Sequence, residues 1–289
     1  MMRYVFFQAH PDDLELNCAH LMHHLARYGH DIRIASVTLG EWGLPGSSRD
    51  HLKGTFLAGI RTKELARAAS IHGIPAKNID YLGYVDGFVR MTKSFVHRVA
   101  SYLQQVRPDV IVGPEPFYTW YYHMDHLNTG RALFHIMKHG LANMSVPLYF
   151  YTSLIPNAFF PIRDSGLDLT NQLIECHKTQ FWLLKWMKYL IVPTELAAGL
   201  KVDGWRYAEP YRRVVFEDES QGTRRVSRAT RSFVRLMART GAFQAQYPAV
   251  IRRELGHNSS LFIDSTSIDY WSEQLSRRGQ TSSSREDGV

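Results

Sequence analysis

The sequence contains only two cysteines, Cys18 and Cys176, among 289 residues. So few thiols exclude a disulfide-rich scaffold and indicate a reducing compartment. No run of about 18 or more uncharged apolar residues is present. The closest approach, residues 181–200, is interrupted by three charged side chains, Lys185, Lys188 and Glu195. The N-terminus also lacks the charged, apolar and small-residue regions of a secretory signal. We therefore expect a cytoplasmic protein with no transmembrane segment.

Charge of one sign is not strongly dominant, because the formal net charge is +7. This excess fits either an anionic partner or a basic surface that maintains solubility. Residues 218–289 hold eleven arginines and no lysine. Four of them recur at helical spacing: Arg224, Arg228, Arg231 and Arg235. Such a stripe suits phosphate contacts or a solvated helix face, but it lacks the interleaved aromatic residues of a single-strand binder. We expect no nucleic-acid partner.

Strand and helix patterns alternate over the first 155 residues, and a hydrophobic content of 45% is ample for a core. Apolar runs predict strands at residues 3–9, 31–38, 79–82, 109–112 and 147–151. Apolar residues at helical spacing predict helices at residues 14–28, 60–72, 93–106 and 125–139, the last with Asp125 as its N-cap. The order predicts an α/β fold, a Rossmann-like, mostly parallel sheet flanked by helices.

The pattern changes after residue 165. We predict a helix over residues 167–190 and a last strand at residues 214–216, which would complete a domain of residues 1–216. Residues 217–289 would form a C-terminal helical extension, with a helix at residues 225–239. Its polar tail from Gly279 has the composition of a disordered segment.

Two clusters of chemically active side chains lie about a hundred residues apart. His10-Pro11-Asp12-Asp13 follows the first strand, at the end of a strand where open α/β sheets bind their ligands. His123-Met124-Asp125-His126 lies at the start of a predicted helix. Each cluster alone is compatible with a hydrogen-bonded turn or a capped helix. Together, at one edge of a sheet, they favour a metal site with an acid or base beside it.

Zinc binds His and Asp side chains and, in catalytic sites, keeps one position open. The clusters supply a two-histidine, one-carboxylate set: His10, Asp13 and His126. Asp12 would remain as a general base for a metal-bound water. His123 would stabilise an oxyanion or protonate a leaving nitrogen as an imidazolium, and Asp125 would orient a histidine.

Several motifs resemble those of one enzyme family. They are Ala9–Glu15, Val37–Gly43, Arg61–Glu64, Leu82–Gly87 and His123–His126, with Met124 where proline is usual. Over roughly residues 3–215, the sequence is similar to the PIG-L/LmbE family of zinc-dependent N-acetylglucosamine deacetylases, which includes the mycothiol-pathway deacetylases. The resemblance implies removal of an acetyl group from an amino-sugar substrate.

The resemblance also implies residue roles. His10, Asp13 and His126 would bind Zn²⁺ or another divalent ion such as Fe²⁺, Asp12 would be the base, and His123 would stabilise the tetrahedral intermediate. Three further groups would contact the substrate: Tyr121 at its carbonyl, and Arg61 and Asp86 at its polar part. Arg61 has an alternative reading as a helix-start arginine paired with Glu64. His177 would lie near the pocket or, alternatively, on a helix surface.

Two other functions stay open at this stage. One is an amidase that cleaves a larger N-acyl or thiol-conjugate amide, and the other is a non-catalytic protein that binds an anionic polymer. The aromatic segment 181–190 is compatible with a core helix, a lid, a subunit contact in a homo-oligomer, or a helix at a membrane surface. A small-molecule amino sugar is the expected partner.

Overall fold

A computed structural model of the chain describes residues 1–44, 47–163, 167–216 and the single residue 232. Its strands are β1 (Arg3–Gln8), β2 (Asp31–Thr38), β3 (Ile79–Tyr84), β4 (Val110–Pro114), β5 (Leu148–Tyr151), β6 (Ala158–Ile162) and β7 (Tyr207–Arg213). Its α-helices are α1 (Asp13–Asn17), α2 (Ala19–Arg27), α3 (Thr55–His72), α4 (Lys93–Val106), α5 (Met124–Lys138), α6 (Leu167–Cys176) and α7 (Phe181–Gly199). Short 3₁₀ turns cover Ser47–Leu52 and Ala76–Asn78.

The seven strands form one sheet in the order β3-β2-β1-β4-β5-β7-β6. The first five strands in this order are parallel, whereas β7 pairs antiparallel with both β5 and β6. Parallel strands need crossover connections, and helices supply them here. The predicted α/β class with a mostly parallel sheet is confirmed.

The central strand β1 is buried on both faces. Val5 and Phe7 point into a cluster with residues of α4 and α5, whereas Phe6 points into a cluster with residues of α1, α2 and α3. All three side chains are fully buried. Burial of each such side chain contributes about 1.5–3 kcal/mol. The core therefore fixes β1 in the middle of three layers, and the carboxyl end of β1 carries His10.

The predicted helix over residues 14–28 is instead two helices, α1 and α2. Cys18 interrupts them with non-helical dihedral angles (φ −139°, ψ 13°). The Glu209 carboxylate of β7 accepts hydrogen bonds from the backbone N–H groups of His20 and Leu21, at 2.8 and 2.9 Å. A carboxylate at the first turn satisfies N–H groups that have no partner within the helix. This contact stabilises the first turn of α2, which begins directly after Cys18.

The predicted helix over residues 167–190 is also two helices, α6 and α7. The segment between them is held against α3, because Glu64 accepts hydrogen bonds from the Thr179 N–H (2.9 Å) and hydroxyl (2.6 Å). The predicted strand at residues 214–216 is wrong, since β7 ends at Arg213 and these three residues are not part of a strand. Strands β6 and β7 escaped prediction because Pro161, Pro210 and the charged residues of β7 break the apolar pattern.

A buried ion pair joins β7 to the segment after β4. Arg212 Nε and Nη2 contact the two carboxylate oxygens of Glu115 at 2.6 and 2.9 Å, and both side chains are almost fully buried. Glu115 Oε1 also accepts the backbone N–H groups of Phe117 and Tyr118. Strand β7 therefore fixes the start of the segment that runs from Glu115 to His123.

Apart from residue 232, the predicted extension over residues 217–289 lies outside the described residues, including the helix at residues 225–239, the arginine stripe and the polar tail. Within the described part of the chain, no helix combines the length and apolar character needed to cross a membrane.

Candidate active site

Three of the predicted metal-ligating atoms lie close together at the carboxyl ends of β1 and β4. His10 Nδ1 lies 3.1 Å from His126 Nε2, His126 Nε2 lies 3.3 Å from Asp13 Oδ1, and His10 Nδ1 lies 3.9 Å from Asp13 Oδ1. Ligands about 2.0–2.1 Å from a tetrahedral zinc ion are separated by roughly 3.3 Å. The triangle of donor atoms therefore fits one face of a tetrahedral metal site.

Asp13 is oriented by the backbone of β1. Its second oxygen, Oδ2, accepts the N–H groups of Ala9 and His10, both at 2.9 Å. Burial alone raises the pKa of Asp13, but the neighbouring His126 and His10 side chains and the backbone hydrogen bond lower it to about 2. Asp13 is thus an ionised carboxylate with Oδ1 directed at the two imidazoles.

The opposite nitrogen of the His10 ring contacts two carboxylates. His10 Nε2 lies 3.1 Å from Asp86 Oδ1 and 3.3 Å from Asp125 Oδ2. Burial lowers the pKa of His10, yet Asp86, Asp125 and Asp13 together raise it well above its usual value. A histidine that donates one N–H to a carboxylate presents its other nitrogen to a metal. Asp125 lies where the sequence predicts a histidine-orienting group, and Asp86 contacts the same ring.

Backbone groups hold these two carboxylates in place. Asp125 accepts the N–H of Gly87 at 2.5 Å and of Val89 at 3.2 Å, and Asp86 accepts the N–H of Trp42 at 3.2 Å. Ligand atoms of His10, Asp86, His123 and Asp125 all lie within 4.8 Å of one another, as do those of His10, His123 and His126. Backbone N–H groups already bind the carboxylates of Asp86 and Asp125. These two side chains are therefore better suited to orient His10 than to bind a metal ion.

Asp12 is buried beside this triangle, next to Arg61. Arg61 Nη2 lies 3.0 Å from Asp12 Oδ2, and Arg61 Nη1 donates to the carbonyl oxygen of Gly40 at 2.9 Å. A side chain at Gly40 or Gly43 would overlap the guanidinium. Burial raises the pKa of Asp12, although Arg61 opposes this shift. The guanidinium and two glycines therefore position the predicted base.

The alternative reading of Arg61 as a helix-start arginine is wrong. Helix α3 begins six residues earlier, at Thr55. Glu64, the proposed partner of Arg61, instead binds Thr179. The structure thus places Arg61 against the candidate catalytic carboxylate, and its predicted contact with substrate stays a prediction.

His123, not Asp125, is the N-cap of α5. Its Nδ1 accepts the backbone N–H of Asp125 at 3.3 Å, so a neutral His123 carries its proton on Nε2. Burial and the neighbouring His10 lower the pKa of His123 to about 4. This differs from the imidazolium expected from the sequence. A neutral imidazole still donates one hydrogen bond through Nε2–H.

Tyr121 and His177 lie near the candidate ligands in different contacts. The Tyr121 ring packs edge-on against His126, with ring centroids 4.6 Å apart. His177 is fully buried, and its Nε2 lies 3.1 Å from Glu15 Oε1. Burial lowers the pKa of His177, but Glu15 and then Asp12 raise it above the usual value. The reading of His177 as a helix-surface residue is wrong, because it lies beneath the site.

A cavity opens next to the candidate ligands. Asp12, Asp13, Tyr121 and His126 line it, together with Leu16, Asn17, Trp120, Thr152, Leu184 and Ile191. Sequence reasoning did not single out Asn17, Trp120 or Ile191 as part of a site, whereas Leu184 belongs to the segment 181–190 for which a lid was one alternative. The aromatic run before His123 was a visible signal for Trp120. The predicted base and the candidate ligands therefore border one opening at the protein surface.

Residues 5–137 match the family described as PIG-L, GlcNAc-PI de-N-acetylase. Over this region the chain is similar to the PIG-L family. The matched region contains both clusters, from His10 to His126. It ends within α5, so His177 and all of α7 lie beyond it.

Related proteins carry names from the same class. The chain is 27% identical over 223 residues to diacetylchitobiose deacetylase of Thermococcus kodakarensis, covering 71% of this chain and 80% of the relative. It is 29% identical over 185 residues to a 1D-myo-inositol 2-acetamido-2-deoxy-alpha-D-glucopyranoside deacetylase of Mycobacterium sp. strain KMS. That match covers 56% of this chain and 59% of the mycobacterial protein.

Among solved structures, the fold resembles N,N'-diacetylchitobiose deacetylase from Pyrococcus horikoshii. The TM-score is 0.66 at 24% identity, over 75% of this chain and 85% of that one. At this identity the likeness shows a shared fold, and the chemistry must be argued from the site itself.

Proposed function

We propose that this protein is a metal-dependent N-deacetylase, a hydrolase that removes the acetyl group from an N-acetylglucosamine-type amino sugar or its conjugate. The observation that carries the proposal is the triangle of His10 Nδ1, Asp13 Oδ1 and His126 Nε2 beside the buried Asp12 carboxylate. The family description and the names of the relatives support both the reaction class and the amino-sugar substrate.

His10, Asp13 and His126 would hold the metal ion, with Zn²⁺ as the first candidate. The same donor set accepts other divalent ions, including Fe²⁺. When bound, such an ion polarises the acetyl carbonyl and lowers the pKa of water at the site. Asp86 and Asp125 keep the His10 ring oriented for this role.

Asp12 would act as the general base. Arg61 holds Asp12 Oδ2 in place, and Oδ1 takes one proton from the water that attacks the acetyl carbon. The water oxygen joins the acetyl carbon, the bond between that carbon and the sugar nitrogen breaks, and the proton passes to the nitrogen. The products are acetate and a free amine.

His123 and Tyr121 would stabilise the negative charge that develops on the acetyl oxygen. The Nε2–H of His123 and the hydroxyl of Tyr121 are hydrogen-bond donors next to His126. Burial raises the pKa of Tyr121 well above its usual value, so its hydroxyl keeps its proton. Donors fixed before the reaction stabilise the transition state without reorganisation.

A larger acyl group is the second candidate substrate. A further cavity adjoins the first and shares five of its lining residues, so the cleft continues beyond the candidate ligands. Release of longer acids in preference to acetate would favour that reading. The proposed anionic-polymer binder has less support, because the donor set is complete and the arginine stripe lies outside the described residues.

A mass-spectrometric screen of N-acetylglucosamine conjugates, combined with elemental analysis, tests the proposal. We expect the wild-type protein to contain a divalent metal and to release acetate. Asp12→Asn should retain the metal while turnover falls by about 10²–10⁴-fold. His126→Ala should lose the metal. Asp203→Asn and His97→Ala alter exposed residues and serve as matched controls.

Two results would contradict this assignment. Full activity of Asp12→Asn would remove Asp12 as the base. A full complement of metal in His126→Ala would remove His126 as a ligand.

A further inference from the structure

Gln180, the residue directly before α7, connects two segments that lie 137 positions apart in the chain. Its side-chain Nε2 donates a hydrogen bond to the carbonyl oxygen of Gly43 at 2.8 Å. Gln180 occupies the N-cap position of α7, yet its side chain does not cap that helix. Polar side chains at this position usually bind the first free N–H groups of their own helix. The buried side chain of Gln180 instead serves the turn that contains Gly43.

Four contacts in series lead from Gln180 to Asp12. The carbonyl oxygen of Gly43 accepts from Gln180, and the N–H of Gly43 donates to the carbonyl oxygen of Gly40 at 3.2 Å. That oxygen also accepts from Arg61 Nη1 at 2.9 Å, and Arg61 Nη2 lies 3.0 Å from Asp12 Oδ2. The turn from Gly40 to Gly43 therefore connects Gln180 with the predicted base.

The orientation of the Arg61 guanidinium depends on this turn. Its two terminal nitrogens contact Gly40 and Asp12, whereas its buried Nε has no hydrogen-bond partner in the described part of the chain. A Cβ atom on Gly43 would lie 2.4 Å from Arg61 Nη1 and 3.4 Å from Gln180 Nε2. Both side chains thus lie against the same glycine, and a shift of the turn would move the guanidinium away from Asp12.

Neighbouring residues hold Gln180 in place. The backbone N–H and the hydroxyl of Thr179 donate to Glu64 of α3 at 2.9 and 2.6 Å. His177 Nε2 lies 3.1 Å from Glu15 Oε1 of α1. These contacts fix the segment before α7 to two helices of the candidate site, so the donor of Gln180 has a defined position from which to bind the turn.

We propose that Gln180 is a positioning residue of the candidate site: it holds the turn from Gly40 to Gly43 in the conformation that directs Arg61 at Asp12. The inference rests on the proposed function, since it concerns the same base. Gln180 is not one of the described residues that line the cavity, so it acts on Asp12 through Arg61. It also lies beyond the region that matches the PIG-L family.

Kinetics of paired variants test whether Gln180 acts through Arg61. Gln180→Met keeps the length of the side chain but removes the donor. We expect kcat for acetate release from N,N'-diacetylchitobiose to fall about tenfold, with KM and metal content unchanged. In an Arg61→Met background the same change should cause no further loss, because the contact that it supports is already absent. Gln172→Met, at an exposed position of α6, is the matched control.

A measurement without turnover separates this inference from the proposed function. In protein that contains isotope-labelled arginine, the NMR signal of the Arg61 Nε–H, assigned by its absence in Arg61→Met, reports how firmly the guanidinium is held. We expect Gln180→Met to speed exchange of this proton with water about tenfold or more. Gln180→Glu, which has nearly the same shape and does not donate when ionised, should do the same and covers the case in which Gln180→Met does not fold. Gln172→Met should leave the exchange unchanged.

Three results would overturn the inference. One is an unchanged kcat together with unchanged proton exchange in the Gln180 variants. Another is a loss of kcat in the Arg61→Met background as large as the loss in wild type, because Gln180 would then act by another route. The third is loss of metal from Gln180→Met, since this would place Gln180 in support of the ligands.

The two proposals can fail separately. If the wild-type protein releases no acetate from any conjugate screened, but the Gln180 variants speed the exchange of the Arg61 proton, the positioning role stands and the proposed function fails. If the wild-type protein is active and the Gln180 variants change neither kcat nor exchange, the positioning role fails alone.

Discussion

The buried Glu195 carboxyl group should make the protein less stable as pH rises, and Glu195→Gln should remove that dependence. The pKa of Glu195 is raised from 4.5 to about 7 by burial. A carboxyl group with a raised pKa in the folded protein is protonated there while it is already ionised in the unfolded chain. The resulting loss of unfolding free energy is absent below the pKa of the unfolded state. It grows as the pH rises from that value to the pKa of the folded state, and it is complete above the latter.

The size of the effect follows from the shift of the pKa. A difference of about 2.5 units, at about 1.36 kcal/mol each, corresponds to roughly 3 kcal/mol of unfolding free energy above neutral pH. Glu209 adds a dependence of the same sign, since burial raises its pKa to about 8. The difference between wild type and Glu195→Gln gives the part that Glu195 contributes, including its effect on the pKa of Glu209.

Urea unfolding at about pH 5 and about pH 9 measures this difference. Wild type and Glu195→Gln should be similar at the lower pH, whereas the variant should be the more stable protein at the higher pH. Glu175→Gln, whose residue is exposed, should follow wild type at both values. A constant gap between Glu195→Gln and wild type across the range would show that Glu195 is not desolvated, and would refute the reasoning.

Two further predictions concern the supports of the site. Gly43→Ala should displace the Arg61 guanidinium from Asp12 and lower kcat about tenfold or more, with metal content unchanged in elemental analysis. Gly59→Ala is its control, because a side chain there meets no atom within 4 Å; equal kcat values for the two variants would count against the Arg61 contact. Arg212→Met should cost about 3–5 kcal/mol in urea unfolding, since it leaves a buried glutamate unpaired. Its exposed neighbour gives the control Arg213→Met, and a loss below 1 kcal/mol would show that the pair is solvated.

The first half of the fold could be read from the sequence because strands β1, β2 and β4 are largely buried on both faces. The bounds of β2 and α4 coincide with their predictions, since an apolar run or helical spacing is unbroken there. Strand β7 contains Glu209, Pro210 and two arginines, and its polar residues are satisfied only by distant partners. A local pattern cannot reveal such partners.

The candidate site also combines features that a local sequence pattern reveals with contacts that only the fold creates. His10, Asp13 and His126 stood out because imidazoles and carboxylates clustered at the ends of elements. The contact of Arg61 with Asp12 depends on how α3 packs beside β1, and spacing within one helix cannot show it. Glu195 looks like an ordinary helical glutamate in the sequence. Its burial arises only when α7 covers the cleft.

The Glu115–Arg212 pair has a consequence for biosynthesis. Its partners are 97 residues apart in the chain, and Arg212 lies 75 positions beyond the end of the PIG-L match at residue 137. While the ribosome extends the chain, both metal-binding clusters emerge long before the strand that anchors the segment between Glu115 and His123. A fragment that stops at the family boundary would thus carry every proposed ligand yet leave Glu115 buried without its counter-ion. The folded domain is therefore longer than the region that matches the PIG-L family.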